Sequence, residues 1–449
     1  MKEVFKTIDK YEDLILKAEQ DLLRMPETGY FEYKTNAYMI KAFENLGYEV
    51  VKADGITGFY SVLDTGKKGP TVLVLAELDS LINFQHAYAD PETGAAHTCG
   101  HHVQCATIIG VAAALKEDAV IKNLSGKIKL CLVPAEEGIE IGKRNELVRK
   151  GVIKFTSGKP EFIYRRYFDD VDIAFMVHAA GCDNSKKFLL GIGSNGVLRK
   201  STVFKGVAAH ACGNPHDGIN ALNAAATCIT TLNSLRETFK EEDFVRVHSI
   251  ITKGGDAVNA VPEKVVMESY VRAASVKALK KTNEKVNRTI SACAAAFGAK
   301  VEITDMPGSE ALHDDENLLS AAKEVLTELV GADAIGYRPW LASSTDMGDV
   351  STLFPAIHAY ACGASGTIHS KDFIISDPVN ACVNNARFQV GLIVKLLENG
   401  GKVANEIIEK FKPQFNSVDE YIEHKLSTSM SKDTVLYNED GTVTLDYKA

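Results

Sequence analysis

Three short, almost unbroken apolar runs, each ending in residues that carry chemistry, limit what this chain can become. Thr71-Val72-Leu73-Val74-Leu75-Ala76 leads to Glu77-Leu78-Asp79. Ile128-Lys129-Leu130-Cys131-Leu132-Val133 leads to Pro134-Ala135-Glu136-Glu137, and Ile173-Ala174-Phe175-Met176-Val177 leads to His178. Runs without polar alternation suit strands covered on both faces. Helical spacing lies between and before them, at Leu14, Ile15, Ala18, Leu22 and Leu23 and in an Ala-rich helix predicted over about 103–116. Strands alternating with helices predict an α/β sheet, with its site at the strands' C-terminal ends.

The pattern changes near residue 192. An alternating strand (197–204), an Ala-rich helix (219–235), two strands (246–251 and 264–273), a polar helix (276–297) and a strand (300–304) follow in the order β-α-β-β-α-β. That order predicts a small ferredoxin-like α+β module inserted into the first domain. The expected division is 1–192 for the first part of a catalytic domain with a mixed sheet, 193–311 for the insert, and 312–449 for the second catalytic part and the tail. A length of 449 residues accommodates two or three domains.

Net charge of −9 argues against nucleic acid or an anionic membrane as partner, and no apolar run reaches the length of a membrane span. The charged start Met1-Lys2-Glu3-Val4-Phe5-Lys6 lacks the apolar stretch of a signal peptide. Nine scattered cysteines with no CxxC pair predict reduced thiols and a cytoplasmic protein.

One loop concentrates chemistry: His97-Thr98-Cys99-Gly100-His101-His102 offers a thiol and three imidazoles within six residues. Collected with the other groups at strand ends, the candidates are Asp79, Cys99, His101, Glu136, Glu137, His178 and His369. Cys, His and carboxylate are ligands of zinc and related divalent ions. Of two adjacent glutamates, one can bind metal while the other faces elsewhere. A carboxylate beside a metal-bound water is the arrangement of metal-assisted hydrolysis. Singly each residue has a plainer reading: a core histidine, a helix-end charge pair, a buried inert thiol. Together at predicted strand ends they point to a centre with more ligands than one tetrahedral zinc uses, hence two metals.

These residues resemble the co-catalytic metallopeptidase family of aminoacylase and glutamate carboxypeptidase, in its amidohydrolase branch of auxin-conjugate, hippurate and p-aminobenzoyl-glutamate hydrolases and related dipeptidases. His97-Thr98-Cys99-Gly100-His101 is similar to the branch's H-x-C-G-H, and Pro134-Ala135-Glu136-Glu137-Gly138 to its P-A-E-E-G. Val177-His178 and Ile368-His369-Ser370 match its two later histidine ligands, and 205–211 the start of its lid. The resemblance implies Cys99, His101, Glu137, His178 and His369 as metal ligands and Glu136 as general base for a metal-bridging water. It implies Asp79 as the aspartate that orients a ligand histidine. His210 would reach across a homodimer, formed through the lid domain, to hold the oxyanion. Asn259, in Asn259-Ala260-Val261-Pro262, and Arg272 would bind substrate. The implied cofactors are two divalent ions, zinc or manganese, with cobalt and nickel open. The implied substrate is a small amide or a dipeptide.

The chain also departs from the pattern. His102 stands where the branch's auxin-conjugate enzymes carry Asp, Leu78-Asp79-Ser80-Leu81 replaces their M-D-A-L, and residues 83–96 and 150–170 look longer than usual. Two alternatives stay open at this stage: a non-catalytic dimeric binding or regulatory protein on the same fold, and a hydrolase using Cys99 as nucleophile.

Overall fold

The computed structural model describes residues 1–183 and 185–448. The chain forms two compact units. The first comprises Met1–Gly193, His313–Trp340 and Asp349–Val418, and the second comprises Ser194–Leu312, Leu341–Gly348 and Asp419–Ala449.

In the first unit the apolar runs become the middle of a mixed sheet. Its order is Val51–Lys52, Phe59–Asp64, Lys127–Val133, Thr71–Glu77, Ile173–Gly181, Ala356–Ser365, Phe188–Leu190 and Ile335–Tyr337, with Ile374–Ile375 paired to Ala356–Ser365. Lys127–Val133, Thr71–Glu77, Ile173–Gly181 and Ala356–Ser365 run parallel. Their C-terminal ends therefore share one edge of the sheet. All seven residues of Thr71–Glu77 are buried, as the unbroken apolar pattern requires.

The predicted Ala-rich helix spans His101–Leu115 and starts two residues earlier than periodicity suggests. All fifteen of its residues are buried. A helix apolar all round belongs in the centre of a large core. Its start is set by Gly100, whose φ of 93° is left-handed; a Cβ there would lie 3.1 Å from the Ala179 methyl. Glycine takes this conformation without steric cost.

The stretch 140–170 is not a plain polar loop. It forms the helices Ile141–Arg149 and Gly158–Tyr164, and Arg144 and Lys159 are wholly buried. The cysteines also depart from expectation. Cys182 and Cys362 form a disulfide, because the pairing of Ile173–Gly181 with Ala356–Ser365 brings their Cα atoms to 5.5 Å. The other seven cysteines are free.

Strand Ala356–Ser365 also buries a carboxyl. Asp314 is 8 % exposed and its Oδ1 accepts the His358 N–H at 2.7 Å. Burial pushes this carboxyl up from 3.8 to about 7. Its protonated form thus favours the folded chain fully below about pH 4, and that contribution is lost as pH climbs through 7. At roughly 1.4 kcal/mol for each tenfold change in proton affinity, the loss is on the order of 4 kcal/mol. Asp314→Asn should flatten the alkaline decline, read as urea midpoints at pH 5 and pH 9. Equal declines in variant and wild type would show that other groups set it.

In the second unit, strands Gly196–Lys205, Arg246–Lys253, Lys264–Ala273 and Lys300–Pro307 and helices Ala221–Ser234 and Val276–Ala296 follow the expected β-α-β-β-α-β order. The sheet is antiparallel, ordered Arg246–Lys253, Lys264–Ala273, Gly196–Lys205, Lys300–Pro307, and helix Val276–Ala296 covers it with an apolar face of Leu279, Val286 and Ile290. The tail was expected with the catalytic part. Residues 419–448 pack instead in this unit, because Met430–Asp433 adds a fifth strand beside Lys300–Pro307. No helix among the described residues is long and apolar enough to cross a membrane.

Candidate metal centre

The parallel strand ends bring Asp79, Cys99, His101, Glu136, Glu137, His178 and His369 into one cluster in the first unit. Three overlapping groups have ligand atoms within 4.8 Å of one another: Cys99, His101 and His178; Cys99, Glu137 and His369; Glu77, His101 and Glu136. Glu77 is the member that sequence reasoning missed. Its signal was present, since pleat alternation puts Glu77 and Asp79 on one side of the strand end.

Backbone geometry aims the donors. Ala135 adopts φ 57°, unusual for a residue with a side chain, and this kink turns Glu136 and Glu137 off the strand end. The kink is anchored on both sides, by the Ala135 N–H on Glu32 Oε1 at 2.8 Å and by Arg144 Nη1 on the Ala135 carbonyl at 3.3 Å. His369 is left-handed too, at φ 67°, and its N–H donates to the Thr98 carbonyl at 2.8 Å. Asp79 ties two candidates together. Its Oδ1 lies 3.2 Å from His101 Nδ1, and its Oδ2 accepts the Glu137 N–H at 3.0 Å. A carboxylate on one ring nitrogen leaves the other facing the centre.

Electrostatics favour a cation. Carboxylates of Glu77, Asp79, Glu136 and Glu137 converge, with the ammonium of Lys159 2.5 Å from Glu77 Oε1. Burial would depress the His101 imidazole, but the charge of Glu77 and then of Cys99 outweighs it and holds it well above the usual histidine range. Burial would raise the Glu137 carboxyl, yet His369 and His101 bring it below its ordinary value. Burial, and next the Glu137 carboxylate, push the Cys99 thiol well up. Its Sγ sits 3.3 Å from His178 Nε2. Burial and then the charge of His101 lower His178 to about 4, so it presents a neutral nitrogen. Two buried atoms, His101 Nε2 and Glu137 Oε1, approach Glu77 and His369 at 3.1 and 3.3 Å without forming hydrogen bonds. Soft sulfur, imidazole and carboxylate donors packed in this way fit divalent metal.

The His97 and His102 rings are tilted by 40° with centroids 4.7 Å apart, and His102 Nε2 lies 3.3 Å from Glu19. Neither belongs to the three groups above.

Residues 73–395 match peptidase family M20/M25/M40. The chain belongs to that family. It is a metal-dependent amide hydrolase by kind, as the motifs at 97–101 and 134–138 implied. Named relatives fall in the same amidohydrolase branch. One is the Xaa-Arg dipeptidase of Mus musculus, 31% identical over 69% of this chain and 65% of that one. Another is the indole-3-acetyl-aspartic acid hydrolase of Enterobacter agglomerans, 28% identical over 63% and 72%. In fold the chain is similar to a dinuclear metal binding peptidase of this family from Bacillus subtilis, with a TM-score of 0.67 at 20% identity over 87% of this chain and 99% of that one.

The remaining candidates of this M20 chain lie in the second unit. His210 is exposed, and its Nδ1 accepts the N–H groups of Cys212 at 3.2 Å and Gly213 at 2.9 Å. Asn259 neighbours it, its carbonyl accepting the Ala211 N–H at 3.0 Å. Arg272 donates from Nη1 to Ser344 Oγ at 2.7 Å and lies 5.5 Å from the Tyr270 ring centre.

Proposed function

We propose that this protein hydrolyses the amide bond of an N-acyl amino acid, an aminobenzoyl-amino acid or a dipeptide at a centre of two divalent metals. The observation that carries this reading is the convergence of Cys99, His101, Glu137, His178 and His369 with Glu136 beside them. Those five residues would hold zinc or manganese, and Asp79 orients His101. When bound, such ions make water acidic near neutral pH and polarise the scissile carbonyl. Glu136 takes the water's proton and returns it to the leaving amine. His210, supplied by a second copy of the chain in a homodimer, donates to the oxyanion. Asn259 hydrogen-bonds the substrate, and Arg272, steadied by Ser344, takes its carboxylate. Cys99 is buried, and a sulfur engaged by a metal leaves no free thiolate to act as a nucleophile.

The test is a panel of N-acyl amino acids and dipeptides assayed after chelation and again with zinc, manganese, cobalt or nickel restored. Chelation should abolish turnover and at least one metal should return it. Activity that survives chelation but is lost on thiol alkylation would transfer the chemistry to Cys99. Silence across the panel with every metal would favour a binding role.

A further inference from the structure

The loop at 83–94 supplies none of the residues of the proposed reaction. It is a built structure. The Asn83 N–H donates to the Gly94 carbonyl at 2.7 Å and the Gly94 N–H to the Asp90 carbonyl at 2.8 Å. Asp90 Oδ1 gathers the N–H groups of Glu92 and Thr93 at 3.0 and 2.8 Å and the Thr93 hydroxyl at 2.8 Å. From this base two side chains reach the segment that carries His369. Asn83 Nδ2 donates to the His369 carbonyl at 3.3 Å, and His86 Nε2 lies 2.8 Å from the Phe373 carbonyl.

Both orientations are fixed from behind. Asn83 Oδ1 accepts the Gln85 N–H at 3.1 Å, which turns the amide's donor toward His369. His86 Nδ1 accepts the Tyr88 N–H at 3.3 Å, so the ring proton sits on Nε2 and points at Phe373. The segment needs such support. His369 holds a left-handed φ of 67°, which costs free energy for a residue with a Cβ. Its N–H is tied to the loop that carries Cys99 and His101, through Thr98, while its carbonyl is tied to Asn83. Its Nε2 is thereby held 3.3 Å from Glu137 Oε1.

We infer that Asn83 and His86 are positioning residues that clamp the 366–373 segment and hold His369 in its ligating pose. This rests on reading His369 as a metal ligand. The test is titration of the metal-free protein with zinc alone, against a chromophoric competitor. Asn83→Asp keeps the Oδ1 turn to Gln85 but replaces the donor with an oxygen. It should bind the second zinc equivalent about tenfold more weakly, the scale seen when groups behind a ligand are removed. The first equivalent and the metal-free melting temperature should stay unchanged, and Asn83→Gln, which keeps a donor, should recover part of the loss. Equal second-site affinity in wild type and Asn83→Asp would overturn the clamp alone. A wild type that takes up no second zinc would overturn the clamp together with the two-metal reading.

Discussion

Glu136→Gln should retain its metal and lose its turnover. Glu136 follows the left-handed Ala135, is half-buried, and has an oxygen within 4.8 Å of donor atoms of Glu77 and His101. Glutamine keeps the size and one acceptor oxygen but cannot take a proton from water. General bases of this kind contribute about 10²–10⁴-fold, so kcat should fall on the order of 10³-fold while metal content, read by atomic absorption, stays at the wild-type level. Glu137→Gln should show the reverse order of events, with metal lost first and activity following. Full activity in Glu136→Gln would remove the residue from its role as base.

The second large effect concerns stability. Lys159 and Glu77 are 0 and 1 % exposed and meet at 2.5 Å. Glu77 also accepts from Gln104 Nε2 at 2.8 Å and faces His101 Nε2 at 3.1 Å. Methionine in place of Lys159 would keep the aliphatic stem and leave the carboxylate without its ammonium. Removing one partner of a buried pair typically costs about 3–5 kcal/mol, and the urea midpoint of Lys159→Met should drop accordingly. Adding Glu77→Gln should restore much of the loss, since the orphaned charge is then gone. A single-variant loss below about 1 kcal/mol would mean that other groups neutralise Glu77.

These two residues also mark what a sequence can and cannot disclose here. Apolar runs and the residues ending them were enough to place Glu136, Glu137 and His178 at one sheet edge, because strand direction and pleat act locally, while Cys99 and His101 were legible as a loop rich in ligand groups. His369 was legible through its motif. Lys159 was not: it lies 82 residues from Glu77, in a charged stretch that reads as solvated, and only the fold turns that charge inward. The Cys182–Cys362 bond spans 180 residues and follows from which strands become neighbours, which periodicity does not encode. The tail strand Met430–Asp433 has no pattern of its own that selects its partner. Its place is decided by the open edge of Lys300–Pro307.

Strand order has a consequence for synthesis. Ala356–Ser365 lies between Ile173–Gly181 and Phe188–Leu190 in the sheet, yet it leaves the ribosome only after the whole second-unit sequence up to Leu312 has emerged. Until then the nascent chain carries Ile173–Gly181, apolar on both faces, with one side unpaired. Such edges invite association with other chains, and non-local pairing slows folding. A newly made molecule thus passes through a long interval in which a largely apolar strand awaits a neighbour, and a chaperone that holds nascent chains would act in that interval.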